Sequence, residues 1–374
     1  MSLTARWTGI LEELTQQGRF RSLRLPAGID FSSNDYLGYG NGRLPIPDSS
    51  TTLPVSGMAS RLLRGQHAIW DQVEAALSNW HSGSSILMMT SGYAANEGLI
   101  STVIEPGDWV ATDELNHACI IDGLRLSRPR KFSYRHNDLN QLEEGLRSES
   151  AKRPEGREMF VITESVFSMD GDKAPLKQIA ELCEKYGTHL IVDEAHSTGC
   201  YGDSGSGCVD AAGLSQRVLA TMHTGGKALG VPGAYIRGSE LLKKFLINRC
   251  RHLIFTTALP PAIGSWWLAA IERVKADTIG REQLHRNSHA FREALISQGI
   301  HPWGTEYVVP VILGDDPKAV RAATKLQEQG FDIRAIRPPS VPLGTARLRI
   351  SIHADHDPES LRRVADAVVE ATRS

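Results

Sequence analysis

Short apolar runs alternate with helically spaced stretches through the middle of this chain, and few architectures accept that pattern. Ile86–Thr90, Trp109–Thr112, Met159–Thr163, His189–Asp193 and Val218–Met222 each read as a buried strand bounded by polar or glycine residues. Between them, Trp70, Val73, Leu77 and Trp80 share one helical face, as do Ile179, Leu182, Cys183 and Tyr186. The second of these helices opens after Pro175, a residue suited to a first turn, and stops at Gly187. Strand–helix alternation on this scale predicts an α/β domain built on a mainly parallel sheet. Such sheets bind ligands at the carboxyl ends of their strands, so the polar residues that directly follow each run carry the most information.

Beyond about residue 280 the elements are fewer and more widely spaced. Tyr307–Leu313 and Arg347–Ile352 read as strands, and Asp316–Gln329 and Pro358–Thr372 as helices, which suits a smaller α+β domain. The expected division is an N-terminal segment (1–45), a large domain (46–280) and a small C-terminal domain (281–374). The 374 residues suffice for both cores, and 41% hydrophobic with 22% charged residues excludes a disordered chain. With 41 Lys and Arg against 43 Asp and Glu, the formal charge of −2 gives no electrostatic reason to expect a nucleic-acid partner. No run approaches the roughly 18 apolar residues of a membrane span, and the first residues reach Glu12 and Glu13 without a secretion signal. The five cysteines (Cys119, Cys183, Cys200, Cys208 and Cys250) form no C-x-x-C pair, so neither a disulfide framework nor a metal site is expected. These features predict a cytoplasmic protein with no membrane association.

Three post-strand segments carry chemistry. Leu190-Ile191-Val192-Asp193-Glu194-Ala195-His196 delivers Asp193 at a strand end and His196 three residues later. Alone, this pattern fits a helix-capping Asp and a surface His equally well. Thr224-Gly225-Gly226-Lys227-Ala228-Leu229-Gly230 follows the next run. A nucleotide-phosphate loop is excluded there, because Ala228 stands where Ser or Thr is required. A lysine crowded against a buried aldehyde has a lowered pKa and can form a Schiff base. Thr90-Ser91-Gly92-Tyr93-Ala94-Ala95-Asn96 runs from a strand into a helix start whose small residues expose N–H groups to an anion. A phosphate seat, a carboxylate and a lysine, in that order, are what pyridoxal 5′-phosphate requires. Gly202-Asp203-Ser204-Gly205 partly matches a serine-protease nucleophile segment, but Ser206 replaces the second glycine and the α/β pattern is wrong for it.

Across residues 32–355 the chain resembles the α-oxoamine synthases, within the fold-type I (aspartate aminotransferase-like) pyridoxal-phosphate enzymes. The matching motifs are Ser33-Asn34-Asp35-Tyr36-Leu37-Gly38, Ser60-Arg61-Leu62-Leu63-Arg64-Gly65, Ser91 to Asn96, Asn116-His117-Ala118 and Glu164 to Asp172. The Asp193/His196 and Lys227 segments, Thr256-Thr257-Ala258-Leu259-Pro260-Pro261 and Gly344-Thr345-Ala346-Arg347-Leu348-Arg349 complete the set. The resemblance implies a large domain with a mainly parallel sheet, a smaller α+β C-terminal domain, and a homodimer whose site is shared across subunits. It implies Lys227 as the Schiff-base lysine and proton-transfer base, Asp193 as the partner of the pyridine nitrogen, and His117 stacked on the ring. Ser168 and His196 are then expected near the phenolic oxygen. Gly92, Tyr93 and Thr224 are expected on the phosphate, with Thr257 (or Thr256) reaching it from the second subunit. Asn34 and Arg349 are expected to grip a carboxylate, a task for the planar fork of Arg.

The compact length and Arg135-His136-Asn137-Asp138 are similar to the family member that joins L-alanine to a pimeloyl thioester, on CoA or acyl carrier protein, with loss of CO2. Relatives that use glycine with other acyl thioesters share most of these motifs, and a catalytically inactive partner subunit is the alternative outside the enzyme class. Two places depart from the family pattern. Val55-Ser56-Gly57-Met58-Ala59 replaces a glycine-richer run, and Gly225 stands where a bulkier apolar residue is usual.

Overall fold

The computed structural model describes residues 1–40 and 53–373. The chain forms two compact units, one of residues 37–167 and 173–281, the other of residues 1–36, 168–172 and 282–374. The first 36 residues thus group with the C-terminal segment rather than standing apart, and the expected boundary at 45/46 lies outside the described residues. In chain order the strands are β1 (Ile29–Asp30), β2 (Ser85–Met89), β3 (Trp109–Asp113), β4 (Arg130–Tyr134), β5 (Met159–Glu164) and β6 (His189–Asp193). They continue as β7 (Ala220–Thr224), β8 (Ala234–Gly238), β9 (Val308–Gly314), β10 (Phe331–Asp332), β11 (Arg334–Ile336) and β12 (Ala346–Ser351).

In the larger unit seven strands pair in the order β2-β8-β7-β6-β5-β3-β4, with every pairing parallel except the two made by β8. The exception has a local cause. Only residues 225–233 separate β7 from β8, too few for the crossover a parallel partner needs. Successive side chains of β6 point to opposite faces, and both faces are buried. Ile191 packs with Leu99, Ile120 and Met222, while Leu190 and Val192 pack with Leu146, Ile179 and Val209. That double burial is why the strand reads as an unbroken apolar run.

β6 has the bounds expected from the sequence, but β7 lies two residues further along than Val218–Met222, because His223 and Thr224 are buried in the sheet despite being polar. β4 and β8 are not evident in the sequence. β4 is an edge strand with Arg130, Lys131 and Ser133 exposed, and β8 carries Arg237 among its apolar residues. Because β2, β3, β5, β6 and β7 all run the same way, the segments after Met89, Asp113, Glu164, Asp193 and Thr224 emerge at one edge.

The smaller unit holds an antiparallel sheet in the order β11-β12-β9, and the two-residue strand β1 pairs in parallel with β10. Leu348 and Ile350 of β12 are fully buried in its core, and Arg347 and Arg349 alternate with them. Helices Asp316–Glu328 and Pro358–Arg373 belong to this unit. No helix among the described residues is long and apolar enough to cross a membrane.

Candidate active site

Each strand end at the carboxyl edge of the large sheet contributes a polar group. The loop after β7 places the half-buried Lys227 Nζ 2.7 Å from His196 Nε2, which the turn after β6 supplies. The loop is held by its glycines. Gly225 N–H donates to Gly233 O at 2.9 Å, and Val231 N–H donates back to Gly225 O at 2.9 Å. A Cβ on Gly225 would lie 2.5 Å from the Trp267 ring and from Val231 O, so here Trp267 fills the space a bulkier residue would take. Trp267 Nε1 donates to Pro232 O at 2.9 Å and pins the far side of the same loop.

Asp193, at the end of β6, is 5% exposed. Its Oδ2 accepts from Asn96 Nδ2 at 2.6 Å and its Oδ1 from the Ala195 N–H at 2.8 Å. These two short bonds fix the orientation of the carboxylate. Asn96 projects from α3 (Gly92–Val103), which follows α1 (Leu3–Gln16) and α2 (Ala68–Trp80) in the chain. His117 caps α4 (Ala118–Ser127), with its ring solvent-facing and its own N–H donated to Glu164 Oε1 at 2.7 Å. Lost hydration of the ring and the Lys227 ammonium lower the His117 pKa, against the opposing pull of Asp193. Burial and the neighbouring Asp193 charge push Glu164 well above the usual carboxylate range.

The start of α3 leaves backbone N–H groups open. Ser91 caps the helix by accepting from the Ala94 N–H at 3.2 Å, and the N–H groups of Gly92 and Tyr93 have no acceptor among the described residues. A Cβ at Gly92 would lie 3.4 Å from Thr224 Cβ and 3.5 Å from Thr224 Oγ1. The space between those two residues therefore exists because position 92 has no side chain. Tyr93 is exposed, and its hydroxyl donates to Asp122.

Thr256 is half-buried and lines a small cleft with Arg61, Trp70 and Met88, whereas Thr257 is exposed. The run Val55–Ala59 packs on this segment. Ala258 N–H donates to Ala59 O at 2.9 Å, and a Cβ at Gly57 would lie 2.0 Å from Ala258 O. That departure from the family pattern thus keeps a glycine where backbone meets backbone.

Arg349, Asn34 and Ser168 all belong to the smaller unit. Arg349 Nε donates to Ser168 O at 2.7 Å, Nη1 to Ser351 Oγ at 2.8 Å and Nη2 to Asn34 Oδ1 at 2.8 Å. Asn34 Oδ1 also accepts from Tyr36 OH at 3.0 Å, so the fork is held from several sides. The structure brings Lys227 together with His196, His117 with Asp193, Gly92 with Thr224, and Asn34 and Ser168 with Arg349. Asn96, Cys119 and Glu164 are polar members of the site with no role assigned from the sequence. Asn96 and Glu164 do lie inside recognised motifs, but their partners are distant in the chain.

The aminotransferase class I and II family model matches residues 26–368. An 8-amino-7-oxononanoate synthase of Trichlorobacter lovleyi is 39% identical over 381 residues, covering 97% of this chain and 96% of the relative. Another, of Chlorobaculum parvum, is 39% identical over 349 residues, covering 91% of this chain and 88% of the relative. Among solved structures, serine palmitoyltransferase from S. paucimobilis with bound PLP-myriocin has a TM-score of 0.88 at 27% identity, covering 100% of this chain and 99% of that one. The 8-amino-7-oxononanoate synthase of Francisella tularensis has a TM-score of 0.76 at 26% identity, covering 92% and 98%.

Proposed function

We propose a function for this chain from one premise: it belongs to the class I and II aminotransferase family, among the α-oxoamine synthases. The proposed reaction is that of an 8-amino-7-oxononanoate synthase. L-alanine and a pimeloyl thioester, on CoA or acyl carrier protein, condense to 8-amino-7-oxononanoate, CO2 and the free thiol carrier. The supporting observation is one sheet edge that gathers an amine (Lys227), a bonded carboxylate (Asp193) and an empty-handed pair of N–H groups across from Thr224. Those residues fit pyridoxal 5′-phosphate, since a phosphate suits the Gly92 cradle and a pyridinium suits Asp193. The choice of alanine and pimeloyl thioester is supported by the relatives of that activity.

Bound there, pyridoxal 5′-phosphate supplies an aldehyde for amines and a ring that accepts electrons. Asp193, oriented by Asn96 and Ala195, keeps the proton on the pyridine nitrogen. Lys227 Nζ takes and returns the α-proton of the amino acid, and His196 Nε2, 2.7 Å away, orients that amine. His117 would cover the ring face, and Gly92, Tyr93 and Thr224 would hold the phosphate. Arg349 and Asn34 hold the amino-acid carboxylate, so its geometry is set by the fork bonded to Ser168 and Ser351. Ser168 and His196 would hydrogen-bond near the phenolic oxygen. Thr257 reaches the phosphate from a second subunit of a cytoplasmic homodimer.

The greater structural similarity to serine palmitoyltransferase favours, as the second reading, a different amino acid and a longer acyl chain. Mass analysis of products separates the two. Purified protein is given alanine, glycine or serine with pimeloyl-CoA, the pimeloyl carrier-protein ester or palmitoyl-CoA. The expected result is product only from alanine with a pimeloyl thioester, with one CO2 released per condensation. Product from serine and palmitoyl-CoA alone would transfer the assignment to the second reading.

A further inference from the structure

We propose that Cys119 is a positioning residue whose thiol holds the His117 imidazole as its Nε2–H tautomer and, through the Asn96 amide, ties that ring to Asp193. The direction of each proton can be worked out from the contacts. The backbone N–H of Cys119 donates to His117 Nδ1 at 3.2 Å, so Nδ1 bears no proton. The Cys119 sulfur lies 2.9 Å from the same nitrogen, and between two such atoms the thiol must be the donor. Its sulfur accepts in turn from Asn96 Nδ2 at 3.2 Å, and the same amide nitrogen donates to Asp193 Oδ2 at 2.6 Å. Asn96 and Cys119 are 1% and 2% exposed, so water does not compete for these bonds.

With the single Nδ1 lone pair shared by the backbone N–H and the thiol, the ring keeps its proton on Nε2. The groups facing His117 are the Tyr93 ring, with centroids 6.2 Å apart in an edge arrangement, Asp193, Lys227 and the Glu164 carboxyl that takes its N–H. Burial and Asp193 push the Cys119 thiol up to about 12, which keeps it a donor, and lost hydration lowers the His117 pKa. The inference rests on the proposed function in one respect, the role of His117 against the cofactor ring. The chain of hydrogen bonds itself does not depend on the substrates.

The test is an NMR titration of His117 in the cofactor-loaded protein carrying 13C-labelled histidine, its signal identified by loss in His117→Gln. In Cys119→Ala the neutral ring loses a donor, so its protonation midpoint should rise by about half a unit, the low end of one hydrogen bond because the ring faces solvent. Cys119→Ser, which restores a donor, should return the midpoint to that of the wild type. Should Cys119→Ala fail to fold, Cys119→Val fills the thiol volume without a donor and reads the same shift. An unchanged midpoint in the donorless variant, or a serine variant that shifts as alanine does, overturns the proposal. Failure of the alanine and pimeloyl assay leaves these midpoints unaffected, so the two ideas fail separately.

Discussion

Replacing Asp193 by Asn separates what the carboxylate does for the fold from what it does for the chemistry. Its two oxygens accept from Asn96 Nδ2 at 2.6 Å and from the Ala195 N–H at 2.8 Å. An amide has one acceptor and one donor end, so in either orientation an N–H faces another N–H. One buried donor then goes unpaired, at about 1–3 kcal/mol. At about 2 °C per kcal/mol for a unit of this size, calorimetry should show melting lowered by roughly 2–6 °C. The chemical loss is larger. Removing one member of a buried ion pair costs about 3–5 kcal/mol, and if the barrier bears that cost, turnover falls roughly 100- to 5,000-fold.

Adding Asn96→Asp to Asp193→Asn exchanges donor and acceptor, so the 193 amide can donate to the new carboxylate while still accepting from Ala195. Melting should recover most of its loss, and turnover should stay low, because position 193 still cannot hold a proton on a pyridine nitrogen. Turnover of Asp193→Asn within tenfold of wild type would refute the assignment. So would a double variant that regains turnover along with its melting temperature.

Three further outcomes are expected. Gly92→Ala places a methyl 3.4 Å from Thr224 Cβ, so absorbance titration should show cofactor affinity weakened about tenfold while the cofactor-free protein melts no lower, as alanine favours the helix. Arg349→Lys loses the Nε bond to Ser168 O at 2.7 Å and the fork to Ser351 and Asn34. Steady-state kinetics should show KM for alanine raised by about tenfold or more, with KM for the thioester little changed. Burial and the neighbouring His353 hold His356 at about 4 when folded, below its ordinary value of 6.5. On acidification the unfolded chain therefore takes up the proton first. Stability is full above about pH 6.5 and declines, by up to about 3 kcal/mol, as the pH falls to about 4. Urea unfolding should show that slope, and His356→Gln should flatten it; an equal slope in the variant would exclude His356 as its source.

The parts of the site that lie on strand ends were readable because strand parity and direction are local properties. Parallel strands delivering Gly92, Asp193 and Lys227 to one edge follow from their alternation with helices, and the expected β6 matches the observed strand residue for residue. The apolar pattern sets β7 two residues early, because His223 and Thr224 are polar. In the fold His223 is buried between the hydroxyls of Thr198 and Thr221, at 2.8 and 2.7 Å, and stacks on Tyr235 at 4.6 Å. Burial and the nearby His81 and Arg237 charges hold it neutral, well below the ordinary histidine range. Nothing local announces that a polar side chain has found partners of this kind.

The adjacent acids Asp193 and Glu194 show where local pattern stops and tertiary structure begins. Strand alternation says only that they leave β6 on opposite sides. It does not say which side holds the chemistry. In the fold, Glu194 turns to the amino end of the short helix Cys208–Ala211. Its Oε1 accepts from the N–H groups of Cys208 and Val209 at 2.9 and 3.2 Å and from Ser197 Oγ at 2.9 Å. Its complete burial pushes its pKa up to about 7, against the pull of these donors. Asp193 meets instead an amide from a helix ninety-seven residues away in the chain. Two neighbouring carboxylates thus become a loop fastener and a candidate ring partner because distant segments, Cys208–Ala211 on one side and α3 on the other, supply their donors. The spacing of residues along the strand fixes the opposition of the two side chains, and the packing of those helices fixes what each one does.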